Sequence, residues 1–180
     1  MNALVRQATP HDAEAIAEVH IRSWQVAYRG QLPDHYLDHL GHELDRRITL
    51  WRSEISSPRS ATNEVWVAGT EAEVSGFVAL GPARDADSSV SGEVYAIYVS
   101  PNRWGRGLGR ALFAHATNRL ASLGYSTAML WVLESNTRAR RFYEVAGWAV
   151  DGGSKRESNP AGIELREVSY RIRFNREKEE

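Results

Sequence analysis

Three glycines alternate in the stretch VSPNRWGRGLGRAL, residues 99–112: Gly105, Gly107 and Gly109. Missing side chains at that spacing permit left-handed backbone and let a ligand approach the peptide N–H groups closely. A strand-like run, GEVYAIYV, precedes the stretch, and an apolar-periodic run, LGRALFAHATNRLASL, follows it. The first-turn amides of a helix starting there have no acceptor within the helix and would gather in the same concavity. Arg103, Arg106 and Arg110 add positive charge. The chemistry such an arrangement suits is the holding of phosphate or pyrophosphate. The spacing is not GxGxxG, and no GxxxxGK[ST] loop occurs, which disfavours a dinucleotide oxidoreductase and a P-loop ATPase. A plain flexible strand-to-helix connection is the competing reading.

A second segment, NTRARRFYEVAGW, carries Asn136, Arg140, Phe142, Tyr143, Gly147 and Trp148. Asn136 and Tyr143 are seven residues apart, nearly two helical turns, so they share a face about 10 Å apart along the axis. One polar group could there orient an extended ligand while a phenol approaches its reacting end. Helical pattern alone equally allows Tyr143 to be a core aromatic. Taken together, the two segments resemble the acyl-CoA-binding and adjacent motifs of the GCN5-related N-acetyltransferase (GNAT) superfamily. The resemblance is strongest from Glu93 to Val150 and fainter over the N-terminal third.

That resemblance implies transfer of an acetyl group from acetyl-CoA to an amine, by direct attack in a ternary complex. It implies a cofactor lying in a splay between the fourth and fifth strands. Carried over, Ile97, Tyr98 and Val99 would engage the pantetheine arm and thioester. Arg103, Trp104, Gly105, Arg106, Gly107, Leu108, Gly109 and Arg110 would surround the pyrophosphate, with Asn136, Arg140 and Tyr143 completing the cofactor set. Tyr143 matches the position that often protonates the departing thiolate. Trp104 departs from the Gln or Arg common in the family, a loss that main-chain donors should tolerate. For a general base the candidate is Glu93, at the start of the central strand. An exposed strand-end carboxylate is the bland alternative for it, and some family members work through ordered water.

On the acceptor side, Trp24, Tyr28 and Tyr36 fall in the helical pair that overlies the acceptor in the family, and Tyr95 comes from the central strand. Helix–helix packing would use the same aromatics. The expected acceptor is a small-molecule amine, an amino-acid derivative or a peptide amino terminus. Metal, nucleic acid and membrane are not expected partners, and a homodimer is left open beside a monomer. A non-catalytic acyl-CoA-binding or sensory module is the alternative, since a phosphate loop specifies binding and leaves turnover open. A serine hydrolase is disfavoured because no GxSxG stretch occurs.

Composition sets the frame for these elements. The chain has 180 residues, 42% of them apolar and 25% charged, including six tryptophans and seven tyrosines. That suits one domain with a single core. The formal charge of -1 argues against a dominant nucleic-acid role. With no cysteine, disulfides, thiol nucleophiles and thiolate metal sites are excluded. The absence of a signal-like start or long apolar run makes cytoplasm the expected compartment.

In chain order the pattern predicts a short strand at 4–7 and a helix opened by Thr9-Pro10-His11-Asp12, with Thr9 capping and Asp12 answering it. His20 shares that helix's buried face with Ala13, Ile16, Ala17 and Trp24, and reads as packed rather than ligating. A second helix should run from about Asp34 into Arg47 or beyond. His35, His39 and His42 on it resemble a metal set in number only. Strands at 64–68 and 74–80 should form a hairpin, and GPARDADSSVSG a mobile surface loop. The strand at 93–99 should face Glu93, Tyr95, Ile97 and Val99 one way and Val94, Ala96 and Tyr98 the other. A helix burying Leu112, Ala116, Leu120 and Leu123 then leads to a strand at 127–133, parallel to the previous one. A helix over 137–145, capped at Ser135 or Asn136, and strands at 148–150 and 164–171 complete an α/β domain over 1–174. Its sheet is mixed, largely antiparallel with a parallel central pair, and carries helices on both faces. Residues 175–180 form a charged tail expected to fray.

Overall fold

The computed structural model describes residues 4–58, 61–70, 73–84, 89–158 and 162–174, so the tail at 175–180 and the middle of the 81–92 segment lie outside the described residues. Strand β1 (Leu4–Gln7) leads into a 3-10 turn, Pro10–Asp12, and helix α1 (Ala13–Ala27). The Asp12 carboxylate accepts from the Thr9 N–H at 2.7 Å and the Thr9 hydroxyl at 3.0 Å, the reciprocal capping the sequence predicts. It also pairs with Arg6 of β1. Gly30, with φ of 78°, and Pro33 turn the chain into α2 (Asp34–His39).

The single helix expected from about Asp34 into Arg47 or beyond is broken. A 3-10 segment, Leu40–Glu43, separates α2 from α3 (Leu44–Ser56). The break falls at Gly41, a weak helix former, and redirects α3 so that Trp51 packs with Ile16, Val67 and Phe77 while Leu37 and Leu40 join a separate cluster with Ile21 and Tyr28.

Strands β2 (Glu64–Gly69), β3 (Val74–Pro82) and β4 (Ser91–Val99) form an antiparallel meander. Helix α4 (Leu108–Ser122) buries Leu108, Leu112, Phe113, Ala116 and Leu120, and Gly124 stops it with φ of 90°. Strand β5 (Thr127–Leu133), helix α5 (Thr137–Val145), and strands β6 (Ala149–Ser158) and β7 (Glu164–Arg173) follow. The sheet order is β1-β2-β3-β4-β5-β7-β6, with β4 and β5 its parallel pair. Strand β6 is longer than expected. All of the polar run DGGSKRES, expected to lie between the last two strands, is strand, and residues 159–161 after it lie outside the described residues. A register shift between Val150 and Ser154 absorbs the two glycines, and ion pairs such as Arg156–Glu164 hold the rest against β7. Polar alternation suits this exposed edge strand.

Two apolar clusters occupy opposite faces of the sheet. One lies under α4 and α5 and the other under α1 and α3, so helices cover both faces. Strand β4 contributes to both, though not with the simple alternation the sequence suggests. Ala79 pairs with Ala96 and Leu80 with Val94, so Tyr95 is the extra residue of a bulge. Beyond the bulge the phase inverts. Val94, Ile97 and Val99 pack toward α4, whereas Tyr95, Ala96 and Tyr98 pack toward α1 and α3. No helix among the described residues is long and apolar enough to cross a membrane.

Candidate active site

The site begins where the parallel pair comes apart. Strands β4 and β5 pair over Ser91–Glu93 and Thr127–Met129 and no further. From Val94 onward the β5-facing edge of β4 is unpaired, leaving main-chain donors and acceptors that need other partners. The gap opens into a cavity of about 1140 Å³ that passes through the sheet, from α4 and α5 on one side to α1 on the other.

At the α4 end, Gly105 and Gly107 have φ of 75° and 81°, and a Cβ at either would meet nothing within 4 Å. Left-handed backbone and open space together form a cradle. The first intrahelical bond runs from Ala111 N to Gly107 O, so the preceding amides of α4 are its orphan donors. Gly109 differs: it is already helical, and a Cβ there would make ordinary contacts with Val99 and Phe142. Gly107→Val should leave secondary structure in place while weakening acetyl-CoA binding by at least about tenfold, or 1.4 kcal/mol. Calorimetric titration checks this, and an unchanged dissociation constant in the folded variant would remove the loop from the donor site.

The basic residues divide. Arg110 lines the cavity. Arg103 also lines it, but its guanidinium is engaged with Glu73 at 2.7 Å. Arg106 is exposed and its side chain is not part of the wall. Arg140, expected in the cofactor set, turns away: it donates to the Tyr170 hydroxyl at 3.1 Å and the Glu134 carbonyl at 3.2 Å, bracing α5 against β7. Arg138, which sequence reading missed, lines the cavity instead and lies 3.8 Å from the centroid of the Trp104 ring. Trp104 thus brings a cation from α5 to the loop. Its indole N–H donates to Val99 O at 2.7 Å, which also accepts from the Ser23 hydroxyl at 3.0 Å. That carbonyl is therefore already engaged, and Ile97 and Tyr98 line the rest of the β4 edge.

Midway through the sheet stand Asn136, Tyr143, Tyr98 and Tyr28, all on the cavity wall. The Asn136 side chain caps α5 by accepting from Ala139 N at 3.1 Å. Tyr143 is buried, its ring 5.2 Å from Phe113 and 5.4 Å from Phe142. Its hydroxyl has no hydrogen-bond partner among the described residues. Burial, followed by neighbouring Tyr98, pushes that hydroxyl well above the usual phenol range. The phenol therefore stays protonated at neutral pH, the form a proton donor requires. Burial first, then neighbouring Tyr98 and Tyr143, raise Tyr28 as well.

At the α1 end, Trp24, Tyr28 and Tyr95 line the cavity, and Trp24 meets Tyr28 edge-on at 4.9 Å. Tyr36 does not reach it. It packs against the Leu37–Leu40 cluster beneath α1 and serves helix packing. The expectation for Glu93 is also corrected. This carboxylate is fully buried on the paired part of β4, outside the cavity wall. It accepts from Arg84 N at 2.9 Å and from the Arg84 guanidinium at 2.5 Å. A carboxylate so enclosed anchors the β3–β4 connection and cannot meet an acceptor amine. Among the other wall residues that escaped sequence reading are Ser23, Trp131 and Glu167.

The profile of the acetyltransferase (GNAT) family matches residues 13–148 of this chain. An uncharacterized N-acetyltransferase, YuaI of Bacillus subtilis, is 33% identical over 166 residues, covering 91% of this chain and 89% of that protein. The chain belongs to the acetyltransferase (GNAT) family. Among solved structures, the PaiA N-acetyltransferase of Thermoplasma acidophilum, in complex with coenzyme A, superposes with a TM-score of 0.70 at 18% identity, covering 97% of this chain and all of that one. The putative acetyltransferase yncA of Salmonella typhimurium, with acetyl-CoA, also gives 0.70, at 19% identity, covering 100% and 98%. These two likenesses establish the shared fold. The enzyme is an acetyl-CoA-dependent acetyltransferase, which sets aside the non-catalytic acyl-CoA module. Among the described residues no group of three or more His, Cys, Asp or Glu could hold a metal ion. His39 and His42 simply stack, 4.5 Å apart, on an exposed face.

Proposed function

We propose that the enzyme moves an acetyl group from acetyl-CoA to a primary amine of a small molecule, an amino-acid derivative or a peptide amino terminus, by direct attack within a ternary complex. The observation that carries this reading is the continuity of one cavity through the sheet. Its glycine cradle and orphan amides suit a pyrophosphate, its unpaired β4 edge suits the amide-bearing arm, and its far end is walled by aromatic rings. A thioester lying midway would meet an acceptor entering from the α1 side, near Tyr143. Two reactants held in line inside one channel need no covalent enzyme intermediate, since proximity supplies much of the barrier reduction.

Tyr143 acts as general acid in this reading. As the C–S bond breaks, the departing thiolate takes the phenolic proton. Asn136, fixed by its cap to α5, lies on the same wall and orients the donor arm. Amine-dependent release of coenzyme A, with mass spectrometry of the product, tests the proposal. Acetyl on nitrogen is the expected result, and acetylation confined to hydroxyl oxygen across a mixed panel would reject the amine assignment.

A further inference from the structure

With Glu93 enclosed, a side chain that takes a proton from an incoming ammonium has to come from another part of the cavity wall. One carboxylate lines the cavity among the described residues, and it is Glu167. Strand β7 alternates so that Leu165 and Glu167 face the cavity while Val168 and Tyr170 enter the core under α4 and α5. Glu167 pairs in register with Leu133 of β5, and Trp131 lies two residues away on the same cavity-lining face.

The surroundings of this carboxylate already contain an alkylammonium. Lys155, opposite Glu167 on β6, places Nζ 3.5 Å from the Glu167 carboxylate and 4.5 Å from the Trp131 ring centroid. The same ammonium lies 3.0 Å from Glu157, which is thus nearer to it than Glu167. An aromatic face beside a carboxylate is a recognised environment for a cation. The charged neighbours of Glu167 are Lys155 and Glu157 on β6 and Arg84 after β3, and the Tyr98 hydroxyl on β4 is a titratable but uncharged neighbour. From β5 it meets uncharged Trp131 and Leu133. Burial is the largest influence on this carboxyl and raises it above the ordinary range, against the pull of Lys155. A half-buried carboxylate of raised affinity for protons is suited to base catalysis.

We propose that Glu167 receives the acceptor's ammonium group and removes its proton ahead of attack, which makes the acceptor a cationic primary amine. The inference rests on the amine-acceptor reading above. The ammonium gives one proton to Glu167, and the freed nitrogen lone pair forms the N–C bond to the thioester carbonyl. The C–S bond then breaks, and the thiolate takes the Tyr143 proton. The second nitrogen proton restores Tyr143, while Glu167 passes its own to solvent. One proton is released per acetyl group transferred.

The test uses the full chain with a panel of primary alkylamines and amino-acid amides, following coenzyme A release against pH. Glu167→Gln should lower kcat/KM for the amine about a hundredfold and erase the acid limb of its pH profile, with acetyl-CoA affinity unchanged. Glu167→Asp should restore part of the rate and the acid limb. Lys155→Met separates catalysis from hairpin bracing: it keeps the acid limb if Glu167 is the base. If the pair is merely structural, Lys155→Met and Glu167→Gln should be impaired alike with both pH profiles intact. That result, or a folded Glu167→Gln protein with wild-type kcat/KM, overturns the proposal. Failure of the wild-type enzyme to acetylate any amine in the panel would instead overturn the amine-acceptor reading, so the two failures are distinguishable.

Discussion

Tyr143→Phe should slow acetyl transfer by roughly ten- to a thousandfold in a single turnover while leaving acetyl-CoA affinity nearly unchanged. The substitution keeps the ring and with it the contacts to Phe113 and Phe142. Because the hydroxyl has no hydrogen-bond partner among the described residues, its removal breaks no protein bond. Stability should therefore be conserved, and a rate loss would report chemistry rather than packing. Burial acts in two directions on this phenol. It keeps the group protonated at neutral pH, and it penalises the phenolate until the proton can be restored. Single-turnover measurement is needed because product release can hide a slower chemical step. A near-wild-type single-turnover rate across pH would assign Tyr143 to the aromatic core alone, leaving the fold and the glycine cradle as they stand.

Local pattern was informative where a residue acts through its own backbone. Gly105 and Gly107 take the left-handed conformations their spacing suggests, Asn136 caps α5, and β5 occupies residues 127–133 as expected. Each depends on interactions within a few residues. The misreadings lie where a distant partner decides. Arg140 stands one helical turn from Asn136, yet its long side chain finds the Tyr170 hydroxyl thirty residues away. Glu93, at the start of the central strand, read as the candidate base, but the neighbouring hairpin folds Arg84 over it. A single extra residue at Tyr95 inverts the facing of β4, and nothing in YAIYV announces a bulge. Glu167 was invisible for the same reason: its importance comes from which gap β7 borders, and the sheet order places β7 beside β5 instead of beside β4. Aromatic type was a poor guide to role as well, since Trp24 and Tyr28 reach the cavity while Tyr36, on the next helix, does not.

Folding stability should decline as pH falls from 6.5 toward 4, and His20 should account for about 3 kcal/mol of that decline. The imidazole sits between α1 and the sheet, stacked on Tyr98 at 4.8 Å and edged by Trp51 at 5.8 Å and Phe77 at 5.9 Å. The Trp51 indole donates to its Nδ1 at 3.4 Å, which suits a neutral ring accepting there. Burial first, and the charge of Arg47 second, lower its pKa from 6.5 to about 3. Between these values the unfolded chain binds a proton that the folded chain refuses. The stabilisation is complete above the unfolded value and is lost as pH falls toward the folded one. Asp12, lowered to about 2 chiefly by its hydrogen bond to Arg6, adds its own loss mainly below the ordinary aspartate range, whereas His115, also lowered by burial, acts in the same window and with the same sign as His20. Glu167, raised by burial, works with the opposite sign and makes the measured slope shallower. His20→Gln removes the titration and keeps an acceptor for the Trp51 indole. Urea unfolding at several pH values should therefore give a steeper slope for the wild-type protein than for the variant, which keeps the slope that His115 contributes. Equal slopes in the two proteins would show that the ring charges inside the folded core. Because His20 supports Tyr98, which faces both Tyr28 and Tyr143 across the cavity, that outcome would also place a titrating cation against the aromatic wall of the cavity.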